Sequence, residues 1–256
     1  MPTYSHSRLS AYEACPLKYR YAYVDRLEPE RLPENVEAFM GKRVHEALHK
    51  LYSDLMRSRR DTLDDVLAYY DEAWDRQWSD GVEVVRKGTT LEEYREQGRR
   101  CLRDYFSRYA PFDGDKTLGL EMKLFIRIDG YRLIGYVDRI AIKNGRLEIH
   151  DYKTSRSVPS QSFFEEDRQL ALYQIGVRDI WREAGHVDLV WHYLIQGLEV
   201  RSARTPEKLE ELKSSIAALI RRIERAEREY DFPAVVGGLC AWCEYRYLCP
   251  FCGRQD

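Results

Sequence analysis

Gly135-Tyr136-Val137-Asp138-Arg139-Ile140-Ala141-Ile142-Lys143-Asn144-Gly145-Arg146-Leu147-Glu148-Ile149-His150-Asp151-Tyr152-Lys153 reads as two strands around one tight turn. Asn-Gly is the pair that two-residue hairpin loops prefer, because both central residues need a positive φ. Side chains alternate between the two faces of a strand, so such a loop sets Asp138 across from Asp151. Ile140 then faces Ile149 and Ile142 faces Leu147 on the same side, while the other side carries Arg139, Lys143, Glu148 and His150. Directly opposed Cβ atoms lie about 4.5–5.5 Å apart, and two like charges at that range repel by about 3 kcal/mol at an effective dielectric near ~20. A shared proton, a divalent cation, or an ion pair with Lys153, two residues beyond Asp151 on the same face, would each offset that repulsion. The neighbouring ammonium disfavours a protonated pair, and a bound cation is the reading adopted.

Working outward, Asp129-Gly130 is a second turn signal, so 118–153 reads as three antiparallel strands. A two-residue loop there lines Glu121 up with Asp138 as a third carboxylate. The alternation of that strand disagrees in part: its more apolar set is Met122, Leu124, Ile126 and Ile128, so either that face is also covered or a bulge near Gly135 shifts the register. Upstream, Met40, Val44, Leu48, Leu51 and Leu55 recur at helical spacing between Val36 and about Met56. Tyr94, Gly98, Cys101, Leu102, Tyr105 and Tyr109 do so further on. A short opening helix is expected from a Ser7 cap to a stop at Cys15-Pro16. Downstream come a helix from roughly Glu165 to Ala184, a strand at Val187–Ile195, another at Leu198–Ser202, and a long helix capped by Thr205 with Pro206 at its first position. This order predicts a single α/β domain over residues 1–256, a central mixed sheet flanked by helices, with a helical insertion near 57–110 and a cysteine-rich tail at 237–256.

The 256 residues are 44% hydrophobic and 33% charged, which excludes disordered and collagenous classes. No apolar run approaches the roughly 20 residues that span a bilayer, and the first residues lack the apolar core of a secretory signal, so a cytoplasmic protein without membrane contact is expected. Lys and Arg number 41 against 43 Asp and Glu, a net charge of −2. That balance argues against holding nucleic acid by bulk positive charge. Local basic clusters remain, at Arg8, Lys18, Arg20 and Arg26, at Arg99, Arg100 and Arg103, and at Arg221, Arg222 and Arg225.

Gly135-Tyr136-Val137-Asp138-Arg139-Ile140 followed by His150-Asp151-Tyr152-Lys153-Thr154 resembles the PD-(D/E)xK nuclease core, specifically the RecB-like exonuclease branch that includes the AddB nuclease domain and CRISPR-associated RecB-like nucleases. His45 within GKRVHEALH resembles that branch's helical metal ligand, and Gln169 with Tyr173 in RQLALY resembles the helix motif that follows the catalytic strands. The resemblance implies a restriction-endonuclease-like fold in which His45, Asp138, Asp151 and the carbonyl of Tyr152 hold one or two Mg²⁺ or Mn²⁺ ions; Glu121 is an additional candidate from the hairpin register. It implies that Lys153 orients or deprotonates the attacking water, with Gln169 near Lys153 and Tyr173 near substrate. The implied activity is metal-dependent DNA hydrolysis, on single strands or DNA ends. No G-x-x-x-x-G-K-[ST] loop is present, so any helicase motor would come from a repair or CRISPR partner. The alternative from another class is a non-catalytic DNA-binding subunit of such a complex.

Cys240-Ala-Trp-Cys243 and Cys249-Pro-Phe-Cys252 could by themselves form a four-cysteine Zn²⁺ site. The resemblance implies instead a [4Fe-4S] cluster held by Cys15, in Cys15-Pro16, with Cys240, Cys243 and Cys249, clamping the end of the chain and leaving Cys252 over. Cys101, on an apolar stripe, is expected in the core. His45-Glu46-Ala47-Leu48-His49 also fits the H-E-x-x-H pattern of zinc proteases. No third histidine follows at the metzincin spacing, Glu72 is only loosely placed as a third ligand, and His49 is expected at the surface.

Overall fold

Asn144 and Gly145 adopt φ of 51° and 76°, and Asp129 and Gly130 adopt 48° and 80°, the left-handed pairs that close type I′ hairpins. The strands they join are β4 (Lys116–Ile128), β5 (Tyr131–Lys143) and β6 (Arg146–Lys153). These come from a computed structural model that describes residues 2–30, 33–86, 88–182 and 185–252. The chain divides into two compact units, one of residues 33–124 and 136–205, the other of 1–32, 125–135 and 206–256.

In the first unit, β5 and β6 pair antiparallel from Lys143↔Arg146 to Arg139↔His150, the register expected from the Asn-Gly loop. β6 then pairs in parallel with β7 (Val187–Tyr193), and β7 pairs antiparallel with β8 (Leu198–Ala203). The sheet is therefore mixed. One face carries Tyr152, packed in a core with α3 (Val36–Met56), α4 (Leu63–Gln77) and α5 (Leu91–Tyr109). The other face meets α6 (Gln161–Glu166) and α7 (Arg168–Ile180), with Phe164 against Trp191 and Tyr193. Both α4 and α5 begin in reciprocal capping boxes, Thr62 with Asp65 and Thr90 with Glu93. Two-residue strands β2 (Glu34–Asn35) and β3 (Val82–Glu83) pair in parallel.

In the second unit, β1 (Thr3–Ser5) pairs in parallel with Arg132–Ile134. It leads into α1 (His6–Ala14), α2 (Pro16–Tyr19) and a wider π turn over Arg20–Val24. The long α8 (Pro206–Glu229) packs on α1, where Glu227 accepts from the Tyr19 hydroxyl at 2.8 Å and pairs with Arg8. Single 3₁₀ turns at Gly238–Trp242 and Arg246–Leu248 shape the tail.

Several expectations need correction. Ser5, not Ser7, caps the first helix, its hydroxyl accepting from the Arg8 N–H at 3.1 Å. The first helix does stop at Cys15-Pro16, as expected, and Pro16 then opens a new short helix, since proline fits a first helical position. The segment expected as one helix from Glu165 breaks at Asp167, whose carboxylate caps α7 by accepting from the Leu170 N–H; α7 ends at Ile180, and Ala184 lies outside the described residues. The sheet face bearing Arg139, Glu148 and His150 reads as polar, yet all three are buried. Arg139 makes a bidentate pair with Asp115, stacks over Tyr52 and contacts His150, while Arg201 neutralises Glu148. Among the described residues no helix is long and apolar enough to cross a membrane.

Candidate active site

The helix α3 starts at Asn35, whose side chain accepts from the Ala38 N–H at 2.7 Å. Met40, Val44, Leu48 and Leu51 bury one stripe of it. Gly41 and His45, one turn apart, fall beside that stripe. A Cβ on Gly41 would come within 2.6 Å of the Thr154 hydroxyl, so glycine lets the helix approach the end of β6 closely. That approach brings His45 Nε2 to 2.8 Å from the carbonyl oxygen of Tyr152 and Nδ1 to 3.6 Å from Asp138 Oδ2.

Asp138 and Asp151 occupy the position just beyond the last paired residues of β5 and β6. Asp138 accepts the Tyr152 backbone N–H at 2.8 Å. Asp151 is buried and meets the Lys153 ammonium at 2.7 Å. Glu121 completes a group with His45 and Asp138, whose ligand atoms all lie within 4.8 Å of one another. Glu121 itself adopts a left-handed backbone (φ 42°). Leu124, Ile126 and Ile128 are buried, so the second face of that strand is also covered. A cavity of about 570 Å³ opens here, lined by Gly41, Arg43, His45, Glu121, Asp138 and Thr154 among others.

The charges are not balanced in the absence of a cation. Burial pushes the Asp151 carboxyl up to about 6; Lys153 pulls it down while Asp138 adds to the rise. Loss of water and the charge of Asp138 also raise Glu121. Burial alone would depress the Lys153 ammonium, but Asp151, Asp138 and Asp167 lift it above the usual lysine range, so Lys153 is charged at neutral pH. Hard carboxylate oxygens, a backbone carbonyl and an imidazole crowded around one point are a donor set that suits Mg²⁺ or Mn²⁺.

Gln169 and Tyr173 also come together, Gln169 Nε2 donating to the Tyr173 hydroxyl at 3.1 Å. Tyr173 is buried and its phenol is raised, first by burial and then by Asp151 and Asp138, which puts it in the field of the two aspartates. Asp167, the cap of α7, also raises the Lys153 ammonium; its place before an apolar helix is a cap signal that the spacing alone does not tie to the site. Arg43 was also missed, two residues before His45 in the same motif. Of the basic clusters, Arg99 and Arg103 are paired with Asp71, Glu92 and Glu96. Glu46, the glutamate of the H-E-x-x-H pattern, is engaged by Arg43 and by Gln77, so it is not poised as a protease base.

In the other unit Cys15, Cys240, Cys243, Cys249 and Cys252 all line one cavity of about 180 Å³. Burial raises the Cys243 thiol, and burial with the neighbouring Cys240 and Cys249 thiols pushes Cys252 up to about 12. Cys252, left over in the sequence reading, thus sits with the rest. Among the described residues no three of these sulfurs lie within 4.8 Å of one another, whereas tetrahedral Zn–S bonds of about 2.3 Å would hold them about 3.8 Å apart. Cys101 is in the core, as expected.

The family model for the PD-(D/E)XK nuclease superfamily matches residues 3–250. The chain belongs to the PD-(D/E)XK nuclease superfamily. Members use divalent metals, and DNA is the substrate that membership implies. This PD-(D/E)XK chain is 23% identical over 272 residues to the gene 69 protein of Mycobacterium phage D29, covering 98% of this chain and 97% of that one. It is 26% identical over 133 residues to the gene 69 protein of Mycobacterium phage L5, covering 51% of this chain and 44% of that one. Its fold resembles a crystal structure from Eubacterium rectale named "Putative exonuclease", with a TM-score of 0.54 and 14% identity over 99% of this chain and 88% of the other.

Proposed function

We propose that this chain is a metal-dependent deoxyribonuclease of the RecB-like type, acting on single strands or DNA ends, with residues 1–256 as one nuclease domain. The observation that carries the reading is the meeting of His45, Glu121, Asp138 and the Tyr152 carbonyl beside the buried Asp151 and its partner, the half-buried Lys153. His45, Asp138, Asp151 and the Tyr152 carbonyl would hold Mg²⁺ or Mn²⁺, with Glu121 as an outer carboxylate. When bound, the ion neutralises phosphate charge and makes water a stronger nucleophile. Lys153, kept charged by its carboxylates, orients the attacking water and stabilises negative charge developing on the phosphate. Asp151 fixes that ammonium. Tyr173, positioned by Gln169, presents a phenol that stays protonated and can donate to a substrate oxygen. In the other unit, Cys15, Cys240, Cys243 and Cys249 would hold a [4Fe-4S] cluster joining the start of the chain to its end.

The test is digestion of end-labelled single-stranded DNA with Mg²⁺ or Mn²⁺. Wild type should degrade it, and Asp151→Asn and Lys153→Ala should each lose at least about 100-fold in rate, the scale of removing one electrostatic stabiliser. Equal degradation by all three would reject the assignment. DNA bound but not cut by wild type would point to a non-catalytic subunit instead.

A further inference from the structure

Arg43 lies on α3 two residues before His45 and lines the same cavity as His45, Glu121 and Asp138. It is only 5% exposed. A guanidinium carries five N–H donors, yet among the described residues Arg43 makes one hydrogen bond, from Nη2 to Glu46 Oε1 at 2.9 Å, and its Nε is buried without a partner. The plane rests over the Phe39 ring at 4.9 Å, and Gln77 holds Glu46 from the other side. The fork is therefore fixed in place with donors left over, a costly arrangement in a free protein and a favourable one for an anion that comes to it.

We propose that Arg43 forms a subsite for the phosphodiester of a nucleotide adjoining the one at the metal-binding residues. This rests on the nuclease reading above and adds a second point of contact to it. A guanidinium matches phosphate through paired N–H donors, which a lysine ammonium does not. Lys42 is tied to Glu34 at 2.6 Å and its side chain is 64% exposed to water, so the buried donor without a partner belongs to Arg43. The cavity, at about 570 Å³, lies within the roughly 300–1,000 Å³ of small-molecule sites, with room for more than the reacting phosphate. Two adjoining phosphates held at once would set the register of the strand against the metal-binding residues.

The experiment measures binding of a fluorescent single-stranded oligonucleotide in Ca²⁺, over a series of salt concentrations, together with steady-state cleavage in Mn²⁺. Arg43→Gln should bind about 10-fold more weakly, a loss of about 1.4 kcal/mol, and lower the salt slope by about one. It should raise KM about as much while kcat stays within about threefold. Arg43→Lys should keep the wild-type salt slope but bind at least threefold more weakly. Wild-type affinity and slope in Arg43→Gln would overturn the subsite, as would a fall in kcat with KM and slope unchanged, which marks damage to the helix rather than a lost phosphate contact. Should Arg43→Gln melt far below wild type, Arg43→Lys decides, and unchanged affinity there overturns the proposal. A wild type that neither binds nor cuts DNA overturns the nuclease reading as well, whereas a wild type that cuts alongside an unaffected Arg43→Gln overturns the subsite alone.

Discussion

Asp151 and Arg139 show how differently two buried charges on neighbouring strands are treated. Arg139 is held through both terminal nitrogens, by the Asp115 oxygens at 2.7 and 3.1 Å, by Thr117 and by His150, and by the Tyr52 face, although its Nε is left without a partner; burial and the adjoining guanidinium hold the His150 imidazole neutral. Removing one partner of a buried pair typically costs about 3–5 kcal/mol. Arg139→Met should therefore destabilise the protein by about that much in chemical denaturation, although the side chain lies on the sheet face away from Asp138. Asp151 is the opposite case, a carboxyl raised from 3.8 to about 6. Between those pH values the folded state keeps a proton that the unfolded chain has released, so this group's contribution to stability falls as pH rises from about 4 to about 6. A divalent ion competes with that proton. Mn²⁺ affinity should accordingly increase as pH rises toward the folded-state value of about 6 and level off above it, read as an upward shift of the melting temperature by Mn²⁺ that grows from about pH 5 and levels off by about pH 7; a shift independent of pH would contradict the raised carboxyl.

At the scale of elements, the decisive contact is the close approach of α3 to the end of β6. The helix is predicted by its apolar stripe, but its distance from the sheet depends on one missing side chain at Gly41. Gly41→Val should push the helix away, lengthening the His45 to Tyr152 contact. Cleavage should fall at least 10-fold while overpacking costs about 1–3 kcal/mol of stability, measured by rate and melt on the same sample. A second glycine, Gly98 on α5, is tighter still, since a Cβ there would overlap the Tyr70 hydroxyl and ring. Gly98→Ala should lower stability with little effect on KM. Of the α4–α5 insertion only α5 is legible from its spacing, although the capping residues Thr62 and Thr90 mark the starts of both helices.

At the scale of the whole molecule, the start and the end of the chain fall in the same compact unit. The unit that contains the first 32 residues and the last 51 draws on three separate stretches of chain, and its small apolar cluster of Leu17, Tyr21 and Tyr245 adjoins Cys15, Cys243 and Cys249. Metal binding in such a setting contributes directly to folding. Purified protein should be brown and carry about four irons, and Cys15→Ser or Cys240→Ser should lose the visible absorption and melt at least about 5 °C lower. A colourless wild type with one zinc per chain would reject the cluster.

The hairpin that carries Asp138, Asp151 and Lys153 is written locally, because an Asn-Gly loop and a two-residue side-chain period leave only one register for the pair. So is the helix bearing His45, through local spacing that needs no distant partner. Distant packing alone accounts for Glu121 standing with His45 and Asp138, for Arg139 and His150 being buried rather than solvated, and for the Arg43 Nε being buried without a partner. Each of those depends on groups far away in the chain, such as Asp115 for Arg139, and a local pattern cannot reveal which charge will be covered or by what.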